Sequence, residues 1–246
     1  MKSVVIGKSQ CPKCAKNGND TNRDNLILYS DGGSYCFACG YFTTASGHQR
    51  MSKTDREVTK KVILPHDVDA TIQPIGQTWL NKYNLTEKEI CDNLILWSTY
   101  RQQLIFPYLD KNKELIAYQA RQFNDPSKPK WFSQGNLNKI YNVIYSSNKN
   151  RIVFLVEDIV SAIKVGRSFN AMPLFGSVLS LTKAIHLNYM FDCLYLWLDP
   201  DKQRESIEQC KLIQTANIPI IPVLADKDPK EFTTEEINNI CQAHLI

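Results

Sequence analysis

Two groups of side chains in this 246-residue sequence are spaced for chemistry. The first is a pair of C-x-x-C knuckles, Cys11-Pro-Lys-Cys14 and Cys36-Phe-Ala-Cys39, with 21 residues between them. Four thiolates in two knuckles suit one tetrahedral zinc ion. Such a closed, structural site lets a small module fold without a large core. The second group is acidic. Glu157 ends the apolar run RIVFLVE, Asp199 and Asp201 end CLYLWLDPD, and Asp226 and Asp228 end IPVLADKD. One acid after a strand means only that loops are polar. Acids after three successive runs point to a site, because carboxylates crowded together repel one another unless cations neutralise them. Mg2+ or Mn2+ takes oxygen ligands and leaves room for phosphate oxygens, and two such ions, the number expected here, can clamp a phosphoryl group during displacement.

The elements that must position these groups are legible in outline. Residues NLILYSDGGSYCFACGYF look like a hairpin turning at Asp31-Gly32-Gly33, the shape of a zinc ribbon. Tyr35, Phe37 and Tyr41 either stack on single-stranded bases or form the ribbon's own core. Residues 44–61 are rich in Ser, Thr, Lys and Arg and read as a flexible linker. QTWLNKYNLTEKEICDNLI predicts two short helices, the second opened by a capping box of Thr86 and Glu89. LIFPYL and ELIAYQARQF flank the turn DKNK as a hairpin, and DPSKPKWFSQG reads as a basic, Pro-rich loop. The three acid-ended strands then alternate with the helices DIVSAIKVGRSF and KQRESIEQCKLIQTA, which predicts a parallel α/β sheet. Open sheets of this kind place ligands at the carboxyl ends of their strands, where the acids fall. Cys91, Cys193, Cys210 and Cys241 stand alone among apolar neighbours and read as buried thiols.

Composition narrows the classes. Apolar residues at 43% and aromatics at 10% are globular values, and eight cysteines are too sparse for a disulfide scaffold. No run of 18 apolar residues occurs, so no membrane span or membrane partner is expected. The start, MKSVVIGKSQCPKC, lacks a signal-peptide pattern, which leaves the cytoplasm as the expected compartment, a bacterial host's cytoplasm if the chain is phage-encoded. Charge is uneven. Residues 1–60 hold 9 basic and 5 acidic side chains, residues 61–150 hold 11 and 8, and residues 151–246 hold 9 and 12. A basic first part can receive a polyanion, and an acidic last part can hold its metals.

Three features together resemble the Toprim fold: Val156-Glu157 after an apolar strand, LWLDPD about forty residues later, and Lys227-Asp228-Pro229. That fold is shared by bacterial-type DNA primases, topoisomerases and some nucleases. Where its signature has glycine after the glutamate, this sequence has Asp158, which can cap the following helix or add a carboxylate. The middle of the chain separates these relatives. Arg101-Gln-Gln-Leu-Ile-Phe-Pro107, then Arg121, then Lys128-Pro-Lys130-Trp131-Phe132 resembles the catalytic core of DNA primases. The whole order is similar to bacterial and phage primases, most of all to the primase half of phage primase-helicase proteins. The fold class this implies is α/β. Residues 1–43 form a β zinc ribbon that binds template, residues 44–61 a linker, residues 62–149 a basic subdomain, and residues 150–246 a Toprim metal-binding subdomain with a parallel sheet.

The resemblance implies an RNA polymerase that starts primers on single-stranded DNA from ribonucleoside triphosphates. Cys11, Cys14, Cys36 and Cys39 would hold zinc. Glu157, Asp199, Asp201 and Asp228 would be catalytic and hold magnesium or manganese, with Glu157 alternatively a general base and Asp226 in reserve. Arg101, Arg121 and Lys130 would hold triphosphate and template, with Lys128 and Lys139 as outer candidates. No G-x-x-x-x-G-K-[ST] loop occurs, so a replicative helicase is expected as a separate partner, and a DNA polymerase as another, with the C-terminal EEINNICQAHLI as one place to meet them. Two rival readings stay open: a Toprim nuclease, and a zinc- and Toprim-containing recombination mediator that binds DNA without turnover.

Overall fold

The protein is described from a computed structural model, in which residues 5–16, 18, 20, 22–30, 32–36, 38–39, 41–43, 61–124, 127, 129–147 and 150–245 are placed. The chain forms two units, Met1–Lys61 and Val62–Ile246. Residues 44–60 of the expected linker lie outside the described residues.

In the first unit, β1 (Val5–Ser9), β2 (Leu26–Tyr29), β3 (Ser34–Cys36) and β4 (Phe42–Thr43) form an antiparallel sheet in sequential order, with a five-residue helix, α1 (Pro12–Lys16), after β1. The β2–β3 hairpin is the expected one. Leu26 pairs with Cys36, and Gly32 takes φ 80° in the turn, a conformation open to glycine without strain. Strand β1 adds an edge that the sequence reading lacked. The core is small: Leu26 and three buried cysteines, with Leu28, Cys39 and Tyr41 packed against them.

The second unit holds two sheets that share one buried helix. Strands β5 (Val68–Asp69), β6 (Leu96–Ser98), β7 (Gln103–Leu109), β8 (Leu115–Gln122) and β9 (Trp131–Gly135) form an antiparallel sheet in sequential order. The helices α2 (Pro74–Lys82) and α3 (Glu87–Asp92) precede β6, and α3 carries the Thr86/Glu89 capping box read from the sequence. The β7–β8 turn works without glycine because Lys113 adopts φ 64°. WFSQG, read as loop, is a strand that pairs with β8, placing Trp131 opposite Arg121. Its Lys, Pro and Ser neighbours masked that pairing.

The other sheet is parallel, with β10 (Ile152–Val156), β11 (Ala171–Pro173), β12 (Cys193–Trp197) and β13 (Ile220–Pro222) in the order β11-β10-β12-β13. It therefore has four strands rather than the three expected. Strand β11 is only three residues long, too short to show a period. Helices α5 (Leu181–Met190) and α6 (Gln203–Gln214) pack Ala184, Leu187, Cys210 and Ile213 on one face of the sheet. Helices α4 (Ile159–Gly166) and α7 (Thr234–His244) pack Ala162, Val165, Ile237 and Cys241 on the other. All eight residues of α4 are buried, because Ile159, Val160 and Ile163 also face the core under the antiparallel sheet. A helix that is mostly apolar on every face suits such a sandwich. Cys210 and Cys241 are buried as expected, but Cys91 is exposed on α3 and Cys193 only half-buried at its strand end. No described helix is long and apolar enough to cross a membrane.

Candidate functional site

The four knuckle cysteines converge. Their sulfurs all lie within 4.8 Å of one another, with Cys11 Sγ 3.5 Å from Cys39 Sγ and Cys14 Sγ 3.7 Å from Cys36 Sγ. A tetrahedron with Zn–S bonds of about 2.3 Å has edges of about 3.8 Å, so this donor set fits one zinc ion. Burial opposes a thiolate at Cys36, but hydrogen bonds from the Cys39 N–H, the Cys39 and Cys11 thiols and the Ala38 N–H together outweigh it and hold that thiol below its ordinary pKa. Asp20, at φ 71°, ties the module together by accepting from the amides of Cys11, Asp24 and Asn25. Spacing alone gave no sign of that role. Tyr41 packs on the cysteine cluster, while Tyr35 is at the edge of exposure, and Phe37 lies outside the described residues.

The acids gather where the parallel sheet ends. Val156 on β10 pairs with Trp197 on β12, so the residues just beyond, Glu157 and Asp199, come side by side. The Asp199 amide donates to Glu157 Oε1 at 3.1 Å. Asp158 caps α4, accepting from Ser161 N at 2.9 Å, which answers its place after the glutamate. Asp228 begins the 3-10 turn Pro229–Glu231. Lys230, which the sequence reading did not single out, reaches back with its Nζ 2.7 Å from Asp158 Oδ2 and 2.8 Å from Asp228 Oδ2. Asp201 is exposed, 3.7 Å from Lys202, and Asp226 is exposed too.

Electrostatics mark the cluster as short of positive charge. Burial raises the Glu157 pKa, and the charges of Asp201, Asp158 and Asp228 raise it further, against the Asp199 amide. Burial pushes Asp199 up to about 7; Lys230 opposes this, while Glu157, Asp228 and Asp158 add to it. The Asp199 Oδ1 atom is buried with no hydrogen-bond partner. A buried orphan oxygen among half-buried carboxylates is a donor set that a hard divalent cation fits. Even so, among the described residues only the four cysteines bring three or more ligand atoms into one tight group.

The basic candidates are carried by the part of the unit that holds the antiparallel sheet. Arg101 lines a cavity of about 470 Å3 with Tyr100, Gln103, Gln122, Trp131 and Phe132. It also lines a second, of about 540 Å3, with His66, Tyr118 and Phe132. Arg121 is half-buried, its guanidinium carbon 5.6 Å from the Trp79 ring centroid, 5.9 Å from that of Phe123 and 5.7 Å from that of Trp131. Its Nε is buried without a hydrogen-bond partner, and burial lowers its pKa. Lys130 and Lys139 are exposed, and Lys128 lies outside the described residues.

No family model matches the sequence, and no curated protein matches it. Solved structures do. The chain is similar to the primase fragment of the bacteriophage T7 primase-helicase protein, at 14% identity and TM-score 0.55, over 99% of this chain and 100% of that one. It is similar to the zinc-binding and RNA polymerase domains of Aquifex aeolicus primase, at 13% identity and TM-score 0.53, over 99% and 80%. It is also similar to the E. coli primase catalytic core, at 14% identity and TM-score 0.51, over 70% and 73%. The protein has the fold of these primases: an antiparallel four-cysteine unit, then antiparallel and parallel sheets with helices.

Proposed function

We propose that the protein is a DNA primase that makes short RNA primers on single-stranded DNA. The observation that carries this reading is the crowded acid edge of Glu157, Asp199 and Asp228, on a chain with the primase fold. The parallel-sheet part, residues 150–246, is then the Toprim subdomain. Residues 62–149 form the basic subdomain, residues 1–43 the template-binding ribbon, and residues 44–61 the linker between them.

Glu157, Asp199, Asp201 and Asp228 supply the oxygens for Mg2+ or Mn2+. When bound, the metal lends Lewis-acid stabilisation to charge on the phosphoryl oxygens. The protein's own residues do the rest. Arg101 and Arg121, with Lys130 and the outer Lys128 and Lys139, hold the triphosphate and the template phosphates. The 3′-hydroxyl of the first nucleotide attacks the α-phosphate of the second. One P–O bond forms, the bond to the β-phosphate breaks, and pyrophosphate leaves. Glu157, whose proton affinity burial raises, is alternatively not a metal ligand but the acceptor of the hydroxyl proton. Catalysis is then mainly positioning and charge stabilisation. A replicative helicase and a DNA polymerase are the natural partners of such an activity.

Asp199→Ala tests the reading. Dinucleotide synthesis should fall below detection while binding to single-stranded DNA stays measurable. Full synthesis by that variant would overturn the assignment.

A further inference from the structure

Lys230 stands in the acid edge with no part in the proposed reaction. Its side chain is 15% exposed, and its ammonium contacts Asp158 and Asp228 at 2.7 and 2.8 Å. Both ends of this bridge are fixed by other residues. Asp158 is held as the cap of α4 by Ser161 N at 2.9 Å and Ser161 Oγ at 3.3 Å. The backbone of Lys230 is held by Lys164, a lysine of the wholly buried α4, whose ammonium donates to the carbonyls of Lys230, at 2.9 Å, and of Phe232. A buried lysine thus fixes the turn that aims a second lysine into the acids.

An ammonium at these distances occupies the place between two carboxylates that a bridging divalent cation would need. Asp228 and Asp158 are committed to it. The contacts of Lys230 leave out the other half of the cluster: Glu157, and Asp199 with its orphan Oδ1. The geometry points to a site with a built-in cation, in which Lys230 replaces a second metal and a single divalent ion sits on Glu157 and Asp199. This rests on the metal-binding part of the proposed function, takes Asp228 out of the ligand set given there, and changes the count of two ions expected from the sequence.

The test is a Mn2+ titration of the full, zinc-loaded chain, with free Mn2+ read by electron paramagnetic resonance. The natural chain should bind one Mn2+. Lys230→Met should bind two, the second at least about tenfold more tightly than any second ion on the natural chain. Lys230→Arg, which keeps the charge, should bind one. Two comparably tight ions on the natural chain, or an unchanged count in a folded Lys230→Met, overturns the inference. The natural chain's count decides alone if Lys230→Met does not fold. Primer synthesis with two tight ions removes this inference and leaves the primase reading. The expected counts without primer synthesis do the reverse.

Discussion

Asp199 bears a charge that the fold disfavours, and removing it should stabilise the metal-free acid edge. A tenfold change in proton affinity corresponds to 1.36 kcal/mol, so a rise from the ordinary 3.8 to about 7 is about 4 kcal/mol at full burial. Asp199 is only half-buried, and solvent screening reduces this to about 1–2 kcal/mol. The sign is the reverse of the usual aspartate. The folded chain holds the Asp199 proton more tightly than the unfolded chain. Stability from this residue therefore falls as pH rises from about 4 to about 7, and the penalty is complete above 7. Replacing the side chain with asparagine would keep its shape without the charge. In buffer without added Mg2+ or Mn2+, the zinc-loaded Asp199→Asn chain should be about 1–2 kcal/mol more stable at pH 8, a rise of about 2–8 °C in Tm. The gain should shrink as the pH is lowered and be largely gone near pH 4. Added Mg2+ should stabilise the natural chain and not the variant. Thermal melts followed by circular dichroism read all of this. An Asn variant no more stable at pH 8, or a gain undiminished at pH 4, would refute the reasoning.

Three further perturbations follow from the same geometry. Cys36→Ala removes one of four zinc ligands and the buried pairing partner of Leu26; metal analysis should show the zinc gone, and unchanged zinc content would count against the site. Phe132→Ala, at a side chain 48% exposed beside Arg101, should weaken single-stranded DNA binding by about 1–3 kcal/mol in fluorescence anisotropy while leaving the melt unchanged. Gly135→Ala forces a side chain onto a residue at φ 86°, where its Cβ would lie 2.4 Å from the Ile116 carbonyl oxygen. It should cost about 3 kcal/mol or more in denaturant unfolding, and a neutral result would contradict the β8–β9 pairing.

The parts of this protein that follow a short-range rule were legible in its sequence. The C-x-x-C spacing brought four sulfurs into one cluster, and the Thr86/Glu89 pattern was the capping box it resembled. Acids after apolar runs became acids at a shared sheet edge because parallel register fixes where neighbouring strands end. What escaped depends on contacts distant in sequence. Lys230 reaches Asp158 across 72 residues, and Lys164 reaches the Phe232 carbonyl across 68. No local pattern marks either. Arg121 is a phosphate-ligand candidate by its place on a hairpin, and its surroundings were not legible there. Its cage of Trp79, Phe123 and Trp131 arises from a helix and two chain segments that meet only in the fold. Strand β9 was hidden by its Pro- and Lys-rich approach, and β11 by its length. Helix α7 was read as a place to meet partners; Ile237 and Cys241 show that one face closes the core.

The most direct measurement is of the products. The zinc-loaded chain is incubated with single-stranded DNA of varied sequence, labelled ribonucleoside triphosphates and Mg2+ or Mn2+, and the labelled and template strands are resolved by length. A primase should yield short oligoribonucleotides that depend on template and disappear with Asp199→Ala. Shortened template strands would mean that the same acids cleave, and DNA binding with no new product of either kind would mean a binding protein; each contradicts the primase assignment.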